Sequence, residues 1–408
     1  MRGAAELGRR MMDWAESRMP VLSEIRREFS RKKPLKSLLI GMALHVEAKT
    51  GVLVRTLRAG GAEVAIAGCN PLSTKDEVAA ALAEEGNFVY ARRGESRKEY
   101  YENLRRVLSH EPDIIIDDGG DLTVLAHREH PRLGRLIGGC EETTTGVIRL
   151  RSMERSGALK IPVFAVNDTP AKRFFDNRFG TAESTLQAIM SMTNTSICGK
   201  RVVVAGFGFV GRGIAGRARG MGAEVIVVET DPIRGLEAAL DGFRVLPMRE
   251  AAKIGDIFIT ATGSFRVIRG EHFRRMKDGA ILCNAGHFNV EIDVEELQRI
   301  SRSRRVLEDV TEHVLPDGRR LYLLVGGRLV NLAGRRSLGH PIEIMDLSFS
   351  LQALCTAHLA ANRGKLPAGI HGVPPEIDTR VAELKLKAMG IELERQTKEQ
   401  RRYLQSWE

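Results

Sequence analysis

Between Ser37 and Val166, short unbroken apolar runs, "SLLIGMAL", "EVAIAG", "DIIIDD" and "IPVFAV", alternate with stretches whose apolar residues recur at helical spacing. Continuous apolar runs of this length suit strands buried on both faces, so the pattern predicts a parallel sheet with crossover helices. A second series begins at "GKRVVVAGFGFVGRG" (199–213) and continues through "EVIVVET", "DIFITATG", "AILCNAG" and "RLVNLAG". It predicts a second α/β unit of the same kind. Past His340 the pattern turns helical, "KLPAGIHGVPPEI" reads as a loop, and a charged helix runs to "RRYLQSWE". The expected fold class is α/β, with two doubly wound parallel-sheet domains and a helical C-terminal tail.

A chain of 408 residues, 43% of them hydrophobic, can bury a large core and is long enough for two or three domains. The formal net charge of +10 would suit an acidic partner, but Lys and Arg are scattered among Asp and Glu. "SRSRR" (301–305) and "RRSLGH" (335–340) read as solvated basic patches, and only 5% of residues are aromatic, so no nucleic-acid partner is expected. Five dispersed cysteines without a C-x-x-C pair predict reduced thiols and a cytoplasmic protein. No apolar run of the ~18–20 residues that span a bilayer stands out, and the N-terminus lacks a signal peptide's apolar stretch, so no membrane is expected. The histidines fall into no local ligand spacing, so no metal is expected.

Gly206, Gly208 and Gly211 form G-x-G-x-x-G, with Phe209 and Val210 inside it, directly after the strand "RVVVAG" and before a helical stretch. Missing side chains permit the tight turn, let the backbone approach a pyrophosphate and aim a helix N-terminus at it. Glu229 ends the next strand about 20 residues on, where an acid accepts hydrogen bonds from the ribose hydroxyls and repels a 2′-phosphate. NAD is the expected cofactor, although Arg234 stands nearby. Almost 200 residues precede this fingerprint, room for a substrate domain, and on this evidence alone a dehydrogenase follows. Lys172 and Asp176, in "VNDTPAKRFFDNRFGT", are helix neighbours; taken alone they are a surface ion pair worth about 0.2–0.5 kcal/mol.

Together "MALHVEAKTGVL" (42–53), "GCNPLSTKDEVAAAL" (68–82), "IIDDGGDLT" (115–123), "EETTTGV" (141–147), "VNDTPAKRFFDNRFGT" (166–181), "CNAGHFNVEID" (283–293) and "GRLVNLAG" (327–334) resemble the S-adenosylhomocysteine hydrolase family, in order from about Trp14 to Trp407. The resemblance implies redox-neutral hydrolysis of a nucleoside thioether, with one NAD per subunit retained through turnover. It gives Lys172 the 3′-hydroxyl proton, with a lowered pKa if it is to act as a base, and makes Asp176 and Glu142 position the ribose hydroxyls. Asp118 would take the C4′ proton, and His45 would serve the 5′ leaving group and the incoming water. Glu47, Lys49 and Thr50 would face the purine, His287 the 5′ end and His340 a closing gate. Thr143, Thr144, Thr145, Asn177, Thr262, Asn284 and Asn331 would reach the cofactor. By itself a strand-end turn would account for "DDGG", and a structural role for His45.

Some positions depart from the family. Animal members carry Thr and Glu where this chain has Glu47 and Lys49; Lys49 can only donate, which suits an acceptor at purine C6, so S-inosylhomocysteine is an alternative substrate to S-adenosylhomocysteine. Thr181 stands where many members have Cys and Asn289 where Asp is usual, and two extra residues lie between Asn331 and "GHP" (339–341). The C-terminal Lys and Tyr of many relatives are missing, which predicts more loosely held NAD, yet a homotetramer is still expected. The expected division is a discontinuous substrate domain, 1–184 and 341–385, around a Rossmann NAD-binding domain, 185–340, with an oligomerisation tail, 386–408. Two rival readings are an ordinary NAD dehydrogenase and a catalytically silent binding paralogue.

Overall fold

The computed structural model describes residues 2–129 and 135–407. Among the described residues, fifteen strands form two sheets. The first holds β1 (Leu39–Leu44), β2 (Glu63–Gly68), β3 (Phe88–Tyr90), β4 (Ile114–Asp117), β5 (Gly138–Glu141) and β6 (Pro162–Ala165). The second holds β7 (Arg201–Ala205), β8 (Glu224–Val228), β9 (Arg244–Val245), β10 (Ile257–Thr260), β11 (Ala280–Asn284), β12 (Arg302–Leu307), β13 (Val310–Val314) and β14 (Arg320–Leu324). The chain then returns to add β15 (Gly369–His371) to the first sheet, parallel to β6.

The first sheet has the order β3-β2-β1-β4-β5-β6-β15 and is parallel throughout. In the second, β9-β8-β7-β10-β11-β14 repeats that order, and antiparallel β13 and β12 extend its far edge. The winding reverses between β1 and β4 and again between β7 and β10, and such switch points open a crevice beyond the strand ends. β4 is buried throughout, and β1, β2 and β7 are buried except at their first residues, as apolar strands covered on both faces must be.

Several local readings needed correction. "RLVNLAG" is not a strand: Val330–Ala333 is a single helical turn, and Leu329 makes only an isolated bridge to Asn284. The strand is β14, "RLYLL", just upstream. "SRSRR" lies mostly within the exposed edge strand β12. The second sheet is therefore mixed. The "KLPAGIHGVPPEI" loop contains β15. Among the described residues one helix, Ile342–Ala361, is long and apolar enough to cross a membrane by length and composition, which the run-length reading did not anticipate. It is mostly buried and packs on the helices Pro20–Lys32, Ala48–Ala59 and Pro375–Ala388, which accounts for its apolar composition, and its buried polar residues Ser348 and Gln352 find hydrogen-bond partners inside the protein.

Candidate active site

The strand ends at the first switch point carry ionisable groups. His45 follows β1; its Nδ1 shares a hydrogen bond of 2.7 Å with Ser73 Oγ, and its carbonyl accepts from Thr50 Oγ1 at 2.6 Å. Asp118 follows β4 and lies between two imidazoles, 3.5 Å from His45 Nε2 and 3.5 Å from His287 Nδ1. Burial pushes the His45 pKa down to about 4 against the pull of Asp118, so the ring is neutral near pH 7. Gly119 has φ +105°, and a β-carbon there would come within 2.3 Å of His287 Nε2. Only glycine lets the turn pass under that ring.

Next to this group β5 ends in Glu141 and Glu142. Glu142 faces Lys172, with Nζ 3.4 Å from Oε1, and accepts a hydrogen bond from Gln352 of the long buried helix. Lys172 Nζ also lies 3.1 Å from Asp176 Oδ2 and donates to Asn177 Oδ1 at 2.8 Å. Reaching partners at both i+4 and i+5 depends on local geometry: Arg173–Gly180 winds as a π-helix, whose wider turn brings the fifth residue back over the first. Asp176 also accepts from Ser348 Oγ at 2.6 Å and pairs with His340 Nδ1 at 2.5 Å. Burial opposes the Lys172 charge, but Asp176 and Glu142 outweigh it and hold the amine above its ordinary pKa. This corrects the expectation of a lowered pKa: the protein's own groups keep Lys172 an ammonium. Burial, partly offset by Lys172, raises Glu142 to about 7, while Lys172 and His340 overcome burial to hold Asp176 below the usual carboxylate range.

At the second switch point Gly206 has φ +98°, and a β-carbon there would lie 2.6 Å from the Ala261 carbonyl. Gly208 caps the helix Phe209–Gly220, on which Gly211 packs against Gly206. Glu229 accepts from the backbone N–H groups of Phe207 (2.7 Å), Thr230 (2.7 Å) and Asp231 (3.0 Å). Burial opposes its charge, but these donors prevail and its pKa is lowered. Thr262 is tethered through its N–H and hydroxyl to Glu291, an acid the sequence reading did not single out.

One cavity of about 1000 Å³ joins both switch points, and it is lined by His45, Glu47, Lys49, Thr50, Asp118, Glu142, Thr143, Thr144, Thr145, Lys172, Asp176, Asn177, Gly206, Gly208, Phe209, Val210, Glu229, Thr262, His287, Asn331 and His340. Two expected residues are not on its wall. Asn284 uses its amide on Thr260, Gly286 and Phe288, bracing the loop that presents His287, and Gly211 serves helix packing. Gln352, Ser348, Ser73 and Glu291 were missed; only their neighbours in space mark them. Lys49 Nζ pairs with Glu47 at 2.8 Å and donates to the Leu338 carbonyl at 3.0 Å. Lys75 and Arg93 donate to the carbonyls of Ser337 and Ala333, so three cations grip the segment before His340. The cavity suits NAD: a glycine turn open to a pyrophosphate, an ionised acid placed for ribose hydroxyls, and a buried amide oxygen, Asn331 Oδ1, that no group among the described residues satisfies.

This fold and site define an NAD-dependent α/β enzyme with a paired lysine–carboxylate centre. The family models "S-adenosyl-L-homocysteine hydrolase" and "S-adenosyl-L-homocysteine hydrolase, NAD binding domain" match residues 2–132 and 177–337. The chain is 60% identical to the S-inosyl-L-homocysteine hydrolase of Methanopyrus kandleri, over 99% of this chain and 96% of that protein. It is 57% identical to the adenosylhomocysteinase of Sulfurisphaera tokodaii, over 99% and 97%. With the S-inosyl-L-homocysteine hydrolase of Methanocaldococcus jannaschii identity is 56%, over 98% and 96%. The chain belongs to the S-adenosyl-L-homocysteine hydrolase family, and its cofactor is NAD.

Proposed function

We propose that this cleft hydrolyses S-adenosyl-L-homocysteine to adenosine and L-homocysteine, without net redox change. The observation that carries the reading is the placing of Lys172, between Glu142 and Asp176, in the same cavity as the Gly206–Gly208 turn. A 5′-thioether resists water, whereas a ketone at C3′ acidifies the C4′ proton and lets the thiolate leave by elimination. When bound, NAD supplies a hydride acceptor for C3′ and later returns the hydride, so it is not consumed. Lys172 relays the 3′-hydroxyl proton to Glu142, while Asp176 holds the ribose hydroxyls. Asp118 removes the C4′ proton and passes it to neighbouring His45, which with His287 serves the 5′ carbon, handing that proton to the departing thiolate and then, neutral again, activating the water that adds. Gly206, Gly208, Phe209, Val210 and Glu229 would hold the nucleotide, together with Thr143–Thr145, Asn177, Thr262 and Asn331 on the same cavity wall.

S-inosyl-L-homocysteine is the second reading. Lys49, fixed between Glu47 and Leu338 in the cavity wall, presents a donor suited to a purine 6-oxygen, and relatives at 60% and 56% identity carry that name. The two substrates, tested separately with the purified protein and followed by free homocysteine, decide between them. A higher kcat/KM for the adenosyl compound supports the first reading; a higher value for the inosyl compound assigns Lys49 to the purine 6-oxygen. Cleavage of neither refutes both.

The proposal extends to the whole protein. Residues 1–184 and 341–385 form the substrate domain, 185–340 the NAD domain and 386–408 an assembly tail, with closure about the two crossings. Exposed Tyr403, Leu404 and Trp407 on the tail favour the homotetramer, and the cytosol is its compartment.

A further inference from the structure

We propose that His45, Asp118 and His287 form a binding site for one zinc-class divalent ion when the cleft holds no substrate. The three donor atoms all lie within 4.8 Å of one another. Each imidazole nitrogen is 3.5 Å from a different Asp118 oxygen, longer than the usual N–H···O bond of about 2.7–3.2 Å. Around a tetrahedral ion with bonds of ~2.1 Å, ligand atoms stand roughly 3.4 Å apart, so each imidazole–carboxylate separation already fits, and the widest pair, at up to 4.8 Å, must close by about 1.4 Å.

The surroundings favour the same use. Ser73 engages Nδ1 of His45 and leaves Nε2 facing Asp118, the way an outer partner orients a metal-binding histidine. The His287 ring is wedged between Gly119 and the Phe288 ring, whose centroid is 4.7 Å away. Two imidazoles and one carboxylate select zinc, cobalt or iron over magnesium or calcium. All three residues face the cavity, so water can fill the fourth position. The set escapes a reading by local spacing because its members come from three distant strand ends. That the ion and the substrate exclude each other rests on the proposed function, in which these groups serve C4′ and C5′; the ion is then an inhibitor.

Co²⁺ tests this spectroscopically, without reference to turnover. Titrated into the NAD-loaded full-length protein, it should develop the strong visible bands of four-coordinate cobalt at one ion per chain, and Zn²⁺ should erase them. His287→Ala should weaken binding by more than about 100-fold, and Ser73→Ala by about 10-fold, as loss of an outer partner does. His287→Gln guards against a folding defect, with bound NAD reporting the folded state. Absence of the bands, or equal affinity in the His287 variants that retain NAD, would overturn the site. Saturating adenosine should release the cobalt; retention would overturn the exclusion alone.

Discussion

Lys172 and Glu142 show how burial and pairing set chemistry at a single residue. Both side chains are nearly inaccessible, so neither charge is tolerable without the other, and removing one partner of such a pair costs about 3–5 kcal/mol. Their proton affinities suit the proposed relay: an ammonium held by two carboxylates beside an acid raised to about 7. Glu142 can accept a proton only when ionised, so kcat should rise with pH through about 7, and Glu142→Gln should abolish that limb. A pH–rate profile of the two proteins checks this; an unchanged limb in the variant would assign the titration elsewhere. The same shift has a stability sign. An acid whose folded pKa exceeds its ordinary 4.5 contributes stability below that value and loses it as pH rises through about 7.

At the scale of elements, the site is assembled by strand ends, and Glu141 joins two of them. Its Oε1 accepts from Gly119 N–H, just after Asp118, and from Thr143 N–H, just before the helix Thr144–Arg155, both at 2.9 Å. Fully buried, it is driven well above the ordinary carboxylate range by burial and then by Asp117 and Asp118. Glu141→Gln keeps the accepting oxygen and should retain most activity, whereas Glu141→Ala frees both turns. For the Ala variant, exchange of the C4′ proton should fall by about 10-fold or more while reduction of bound NAD by substrate persists; equal loss of both steps would mean general unfolding. This clasp was illegible in the sequence: in "CEETTTG" the family resemblance singles out Glu142 for the cavity, and nothing marks the adjacent Glu141 as a partner of two backbone turns. The long apolar strands and the glycine fingerprint were legible because burial and backbone approach dictate residue type directly. β5, "GGCE", was not, because two glycines and a terminal acid carry no strand signature. The π-helix escaped for a related reason: Lys172 and Asp176 fit an ordinary i,i+4 pair, and only the wider turn of the folded segment brings Asn177 to the same amine.

The whole molecule is two copies of one winding order set with their strand ends towards a shared cavity, and side chains of the first half cross to the second. Lys49, Lys75 and Arg93 hold the carbonyls of Leu338, Ser337 and Ala333, while His340 reaches Asp176, so the segment between the sheets is tied at four points. The late return of β15 to β6, with the buried helix Ile342–Ala361 before it, also bears on how the chain is made. A ribosome adding ~5–20 residues per second needs roughly 10–40 s to deliver the ~200 residues between those two strands. Throughout that time the edge of β6 is bare, and the apolar surface under the helix stays bare until Ile342–Ala361 emerges, whereas β7–β14 are completed within the interval and are close together in sequence. Chains stopped before Ile342 should therefore be cleaved rapidly by protease in residues 35–165 and resist it in 200–330, and chains extended to Ala388 should resist in both. Equal protection of the shorter chains would show that the first sheet closes without its last strand; otherwise the second sheet matures first, and the first stays open at one edge until translation is nearly over.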